Sequence, residues 1–166
     1  MQSKRIWIIA LAIIVSILIV IVVTYALTPQ NTDPAYLAAL EFVEAVRQQD
    51  DPTAFALLSD DLQTYVRDNC PDGSVSACIN AYTPPEWGKM LSAVFRRAAP
   101  DGPNFDVDII ATYAEDKGFS GVCIYQRMEQ DAAGEWKVYA WAGYVSCGDG
   151  ASRNMAHNLD APNRVP

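Results

Sequence analysis

Histidine is nearly missing from this 166-residue chain, and His157 is the only one. A hydroxyl or thiol nucleophile needs a base beside it, so Ser-His and Cys-His catalysis has almost nothing to work with. The four cysteines include no Cys-x2-Cys pair, which with a single histidine argues against zinc. Gly-rich phosphate cradles and His-based metal motifs are missing too, so no cofactor is expected. Basic residues are scarce, 12 against 20 acidic, for a net charge of −8. Nucleic acid and anionic lipid headgroups both need a positive surface, so neither is an expected partner. The acidic excess is read as a solubility device. Internal repeats and low-complexity tracts are also missing.

One stretch lacks charge altogether: Ile6 to Leu27, twenty-two residues dominated by Ile, Val, Leu and Ala. As a helix rising 1.5 Å per residue it would reach about 33 Å, enough for a ~30 Å hydrocarbon core. β-Branched residues weaken a helix in water, but in lipid the backbone has no partner except itself. Lys4 and Arg5 precede the stretch and Asp33 is the first charge after it, so residues 1–5 are expected to be a cytoplasmic flank. Trp7 and Tyr25 stand near the two interfaces. A cleaved secretory signal is the competing reading. Its apolar core would normally be shorter, and Thr24-Tyr25-Ala26 is an indifferent cleavage site. The reading is therefore a single-pass protein of the cell membrane, in contact with the bilayer through residues 6–27. Its C-terminal domain is expected to be extracytoplasmic.

Residues 28–33 make a short polar linker, and residues 34–147 read as one α+β domain. Asp33 and Pro34 open an amphipathic helix that runs through Gln49, with Tyr36, Ala39, Leu40, Phe42, Val43 and Val46 on its apolar side. Asp50-Asp51-Pro52 opens a short helix over Thr53–Leu58. Ser59 caps a third helix, to about Asp68, which should bury Leu62, Tyr65 and Val66. Residues 69–82 read as an irregular loop. Thr83-Pro84-Pro85-Glu86 has the form of a capping box, and the helix it predicts sets Trp87, Met90, Leu91, Val94 and Phe95 on one side and ends at Arg96 and Arg97. From Phe105 to Tyr113 the period becomes two. Phe119–Gln130 and Trp136–Cys147 read as further strands of an antiparallel meander, with helices packed on one face. The tail, 148–166, is expected to be disordered.

An even set of cysteines in an exported domain points to disulfides. Proximity favours Cys70–Cys78 and leaves Cys123–Cys147. A four-residue turn at 131–134 would set Cys123 opposite residue 142, too far from Cys147 for a bond. Either the strand bends near Tyr144, or the pairing crosses to the 70–78 loop.

The segments "DPTAFALLSDDLQTYV", "TPPEWGKMLSAVF" and "GEWKVYAWAGYV", in that order, resemble the nuclear transport factor 2-like superfamily, cystatin-like α+β folds, in its membrane-anchored bacterial form. The resemblance implies a curved sheet wrapped on a long helix, a cone with an open mouth. Some members are ketosteroid isomerases with an Asp base and a Tyr/Asp oxyanion hole, and no residue of that set is placed on this chain.

Tyr113, Tyr125, Arg127, Tyr139 and Trp141 form a candidate ligand-binding set, amphipathic rings around one guanidinium. The leading functional reading is a tethered, non-enzymatic module that binds a small apolar ligand or an envelope protein. A pocket enzyme, isomerase or dehydratase, would use Asp106 or Asp108, whose plainer role is the solvent side of an edge strand. A structural module forming a homodimer through an exposed sheet face is the third reading.

Overall fold

The computed structural model describes residues 13–19, 33–81, 83–115 and 121–150, with Phe95 by its main chain alone. Expectations about the flank 1–5, Trp7, Tyr25, the linker up to residue 32, Phe119 and the tail from 151 lie outside those residues. The chain divides into two compact units, Met1–Asn31 and Thr32–Pro166. In the first, residues 13–19 are helical and Ile13, Ile14, Ile17, Leu18 and Ile19 are exposed. Among the described residues no helix is long and apolar enough to cross a membrane. The rest of 6–27 falls outside them.

The second unit is α+β. Helix α1, Pro34–Gln48, starts where Asp33 accepts a 2.9 Å hydrogen bond from the Ala35 amide, with Pro34 already shaped for the first turn. It stops at Gln49, whose φ of 59° is left-handed and whose N–H caps the carbonyls of Ala45 and Val46. Helix α2, Asp51–Ala56, is capped by Asp50, and α3, Asp60–Asn69, by Ser59. Val66 of α3 is buried and Leu62 partly so, but Tyr65 is 45% exposed, against the expectation that it would be buried.

The expected loop at 69–82 contains a helix. A 3-10 turn, Pro71–Gly73, leads to α4, Val75–Asn80. Ser74 caps it by accepting from the Ala77 amide at 3.0 Å, and Asp51 accepts from the Ser74 hydroxyl and from the Ser76 amide. These bonds hold Asp51 below the usual carboxylate range, although its partial burial opposes them. Cys70 and Cys78 form a disulfide, which anchors α4 so that Val75, Cys78 and Ile79 are buried.

The helix expected after Thr83 is a strand instead. A 3-10 turn, Pro85–Trp87, ends at Gly88, whose φ of 68° few side chains tolerate and whose Cβ, if it had one, would lie 3.0 Å from Glu115. The chain then runs extended as β1, Met90–Asp101. It pairs antiparallel with β2, Asn104–Tyr113, from Met90↔Tyr113 to Asp101↔Asn104. Strands β3, Val122–Gln130, and β4, Trp136–Ser146, complete a four-stranded sheet in the order β1-β2-β3-β4. The meander thus has one strand more than expected. Leu91 and Val94, meant for a buried helix face, are 57% and 53% exposed.

The edges of this sheet differ. On β4, the Val138 amide donates to the Leu57 carbonyl at 2.8 Å and the Ser59 amide donates to the Val138 carbonyl at 2.9 Å, so the corner between α2 and α3 covers it. On β1, no strand among the described residues covers the edge. The inner face packs Ile109, Ile124, Met128, Val138 and Trp141 against Phe42, Val43 and Val46 of α1.

The second disulfide, Cys123–Cys147, forms because β4 bulges twice. Gln130 pairs with Trp136, and the register then slips between Arg127 and Met128 and again between Cys123 and Ile124, so Cys123 faces Val145. The second slip falls at Gly143 and Tyr144, with φ of 103° and 52°, and a Cβ on Gly143 would sit 2.4 Å from the Cys123 carbonyl oxygen. The bend near Tyr144 brings the two Cα atoms to 5.0 Å.

Candidate functional site

Side-chain alternation sends β2 in two directions. Val107, Ile109, Ala111 and Tyr113 enter the core, while Asp106 and Asp108 face outward. The sequence read these acids as the solvent side of an edge strand. In fact β2 lies between β1 and β3, and Asp108 is only 3% exposed. Each acid has an arginine as its cross-strand partner. Arg97 donates from Nε to Asp108 at 2.9 Å, and Arg127 Nε is 3.7 Å from Asp106. Burial pushes the Asp106 carboxyl above its ordinary value, with Arg127 opposing. A bulge between Phe95 and Arg97 adds Arg96, whose Nη1 lies 3.5 Å from the Tyr125 hydroxyl and 3.2 Å from Cys123 Sγ.

The predicted aromatic set does not share a pocket. Trp141 belongs to the core, stacked on Phe42 with centroids 5.8 Å apart. Tyr113 is also inner, set edge-on to Trp87 at 5.4 Å. Tyr125 is buried in a second, small cluster with Cys123, Ala142 and Val145. Arg127 stands by Asp106, and Tyr139 accepts a 3.2 Å hydrogen bond from Asn104. Three of the five are thus fixed by packing, and two by polar contacts along the sheet.

One of the five, Tyr113, lines a cavity of about 490 Å³. The C-terminal end of α1 contributes Val46 and Arg47, the end of α4 gives Ile79 and Asn80, and Thr83, Lys89 and Met90 come from the segment entering β1. Apolar walls are Val46, Ile79, Met90 and the Tyr113 ring. The polar residues of the lining are Arg47, Gln48, Gln49, Asn80, Thr83 and Lys89. Burial raises the Tyr113 hydroxyl above its usual pKa, and a hydrogen bond with Thr83 opposes that. Thr83 itself donates to the Ile79 carbonyl at 3.2 Å, which fixes its side chain. Glu44 and Arg47 form an ion pair one turn apart, and Gln48 also donates to Glu44. These bonds lower the Glu44 carboxyl to about 2. Among the described residues that line it there is no carboxylate or thiol.

Sequence reasoning missed Arg47, Asn80, Thr83 and Lys89. The available signals were local: Ser74 as a cap for α4, and Gly88 as a break immediately before Lys89. A second cavity, about 390 Å³, lies where Asp60 and Asp61 of α3 meet Glu129, Asp131 and Lys137. Asp60 and Asp61 complement the positive end of the helix dipole there. Neither Asp106 nor Asp108 lines either cavity. No family model matches the chain, and neither a curated protein nor a solved structure matches it.

Proposed function

We propose that the chain is a membrane-tethered, extracytoplasmic binding module, with a small ligand held in the 490 Å³ cavity. The cavity carries this reading, because its size falls within the ~300–1,000 Å³ typical of small-molecule sites and it combines apolar walls with a few convergent polar groups. The tether rests on the charge-free run 6–27 behind Lys4 and Arg5. The compartment rests on two disulfides, which persist where thiols are not kept reduced. Membership of the nuclear transport factor 2-like superfamily, with its curved sheet, belongs to the same proposal. The order of the three quoted segments supports it.

The test uses the full chain in lipid nanodiscs and a fragment library read by melting temperature. Fragments that raise it in the parent, and do so no longer in Asn80→Trp, which plugs the cavity, are the expected result. Fragments that act equally on both proteins would place binding elsewhere.

A second reading, the homodimer, draws on the β1 edge, which no strand among the described residues covers. An antiparallel pairing centred on Val94 would set the exposed Val94 side chains of two copies opposite each other. Sedimentation of the nanodisc-free chain in mild detergent separates this reading, since a monomer at tens of micromolar excludes it.

A further inference from the structure

The charge of the cavity runs against the charge of the chain. The sequence carries 20 acidic and 12 basic residues, yet the described residues that line the cavity include two cations, Arg47 and Lys89, and no acid. The two cations are not equivalent. Arg47 spends its fork on Glu44, which takes its Nε and a second guanidinium nitrogen. Among the described residues, no carboxylate lies within ion-pair distance of Lys89. One compact ammonium is therefore left to meet a charge entering the cavity. Nearby, the Asn80 amide supplies two further donors. The negative end of α1 would repel an anion, but the Gln49 and Asp50 amides already occupy the Ala45 carbonyl, and the Gln49 amide also bonds that of Val46. The same lining includes the apolar side chains of Val46, Ile79 and Met90 and the ring of Tyr113.

Resting on the binding-module reading, we infer that the cavity takes a small organic monoanion, a carboxylate on a compact apolar body, with Lys89 as its charge partner. A neutral ligand of the same shape would leave the exposed Lys89 ammonium to water and gain nothing from its charge. A dianion would exceed the one lining cation that, among the described residues, has no carboxylate within ion-pair distance.

Benzoate and benzamide, nearly isosteric and differing by the charge, are the probes. Titration calorimetry on the full chain in uncharged-lipid nanodiscs measures both against the parent, Lys89→Gln and Lys89→Arg. The parent should prefer benzoate by about tenfold, the ratio expected of one charge-assisted contact. K89Q should reduce that preference to less than about threefold and K89R should keep it, which separates charge from a folding defect. Equal binding of the two probes to the parent, or a preference that survives in K89Q, overturns the anion inference and leaves the binding module standing. If no probe binds and the neutral fragments also fail, both fall.

Discussion

The two faces of the sheet are held by different physics, although the same strands supply both. On the inner face, Ile109, Ile124, Met128 and Trp141 meet Phe42 and Val43, so the stabilisation is apolar area removed from water. On the outer face, Arg97 and Arg127 answer Asp108 and Asp106 across the strands, and a disulfide closes the cluster around Tyr125. An inner apolar contact stabilises by itself. An outer ion pair mainly offsets the cost of burying its own charges. The inner face also contains an exception. Gln126 is fully buried there, and both ends of its amide are without a hydrogen-bond partner among the described residues.

The comparison is most directly broken at Phe42. Phe42→Ala should cost about 3–5 kcal/mol, because the site under Trp141 cannot collapse around the void. A denaturant midpoint shift at constant slope measures that loss. Gln126→Leu should act in the opposite direction, raising stability by about 1–2 kcal/mol, since it removes two unmet polar groups from an apolar face. A loss of stability in the same measurement would mean that the amide has a partner.

The outer face should respond more weakly. Arg97→Ala leaves the Asp108 carboxylate without its 2.9 Å donor, but Arg97 is half exposed and water can take its place, so about 1–2 kcal/mol is expected. The smallest effect is a slope. Asp106 has a raised pKa, so the folded state holds its proton more tightly than the unfolded state does. Its contribution therefore declines as pH rises from the ordinary aspartate value of 3.8 through the raised one. Melting temperatures of Asp106→Asn and the parent, compared between mildly acidic and neutral pH, should show the variant gaining ground as pH rises. Parallel curves would contradict it.

What could be read in the sequence was local chemistry. Asp33, Asp50 and Ser59 cap their helices through bonds to amides two or three residues away, so a short window contains the whole signal. The alternation in β2 survives because one side faces α1 and the other does not. The segment 83–97 misled because a three-and-four spacing of apolar residues arose in a stretch whose state is decided by β2. Met, Leu, Ser and Ala carry little strand preference of their own, and pairing overrode it. The same holds for the disulfide at Cys147: its feasibility depended on two bulges, and only Gly143 hinted at one. The cavity was out of reach, because Arg47, Asn80, Lys89 and Tyr113 come from four separated segments.

The proposed binding site is tested most directly by methionine methyl NMR on the full chain in nanodiscs. Met90 lines the cavity and Met128 is buried in the core, so one chain supplies both reporter and control. With a fragment that raises the melting temperature, the Met90 methyl should shift in proportion to occupancy while Met128 stays in place. A fragment that saturates without moving Met90, or that moves Met128 equally, would contradict a ligand site at the end of α1.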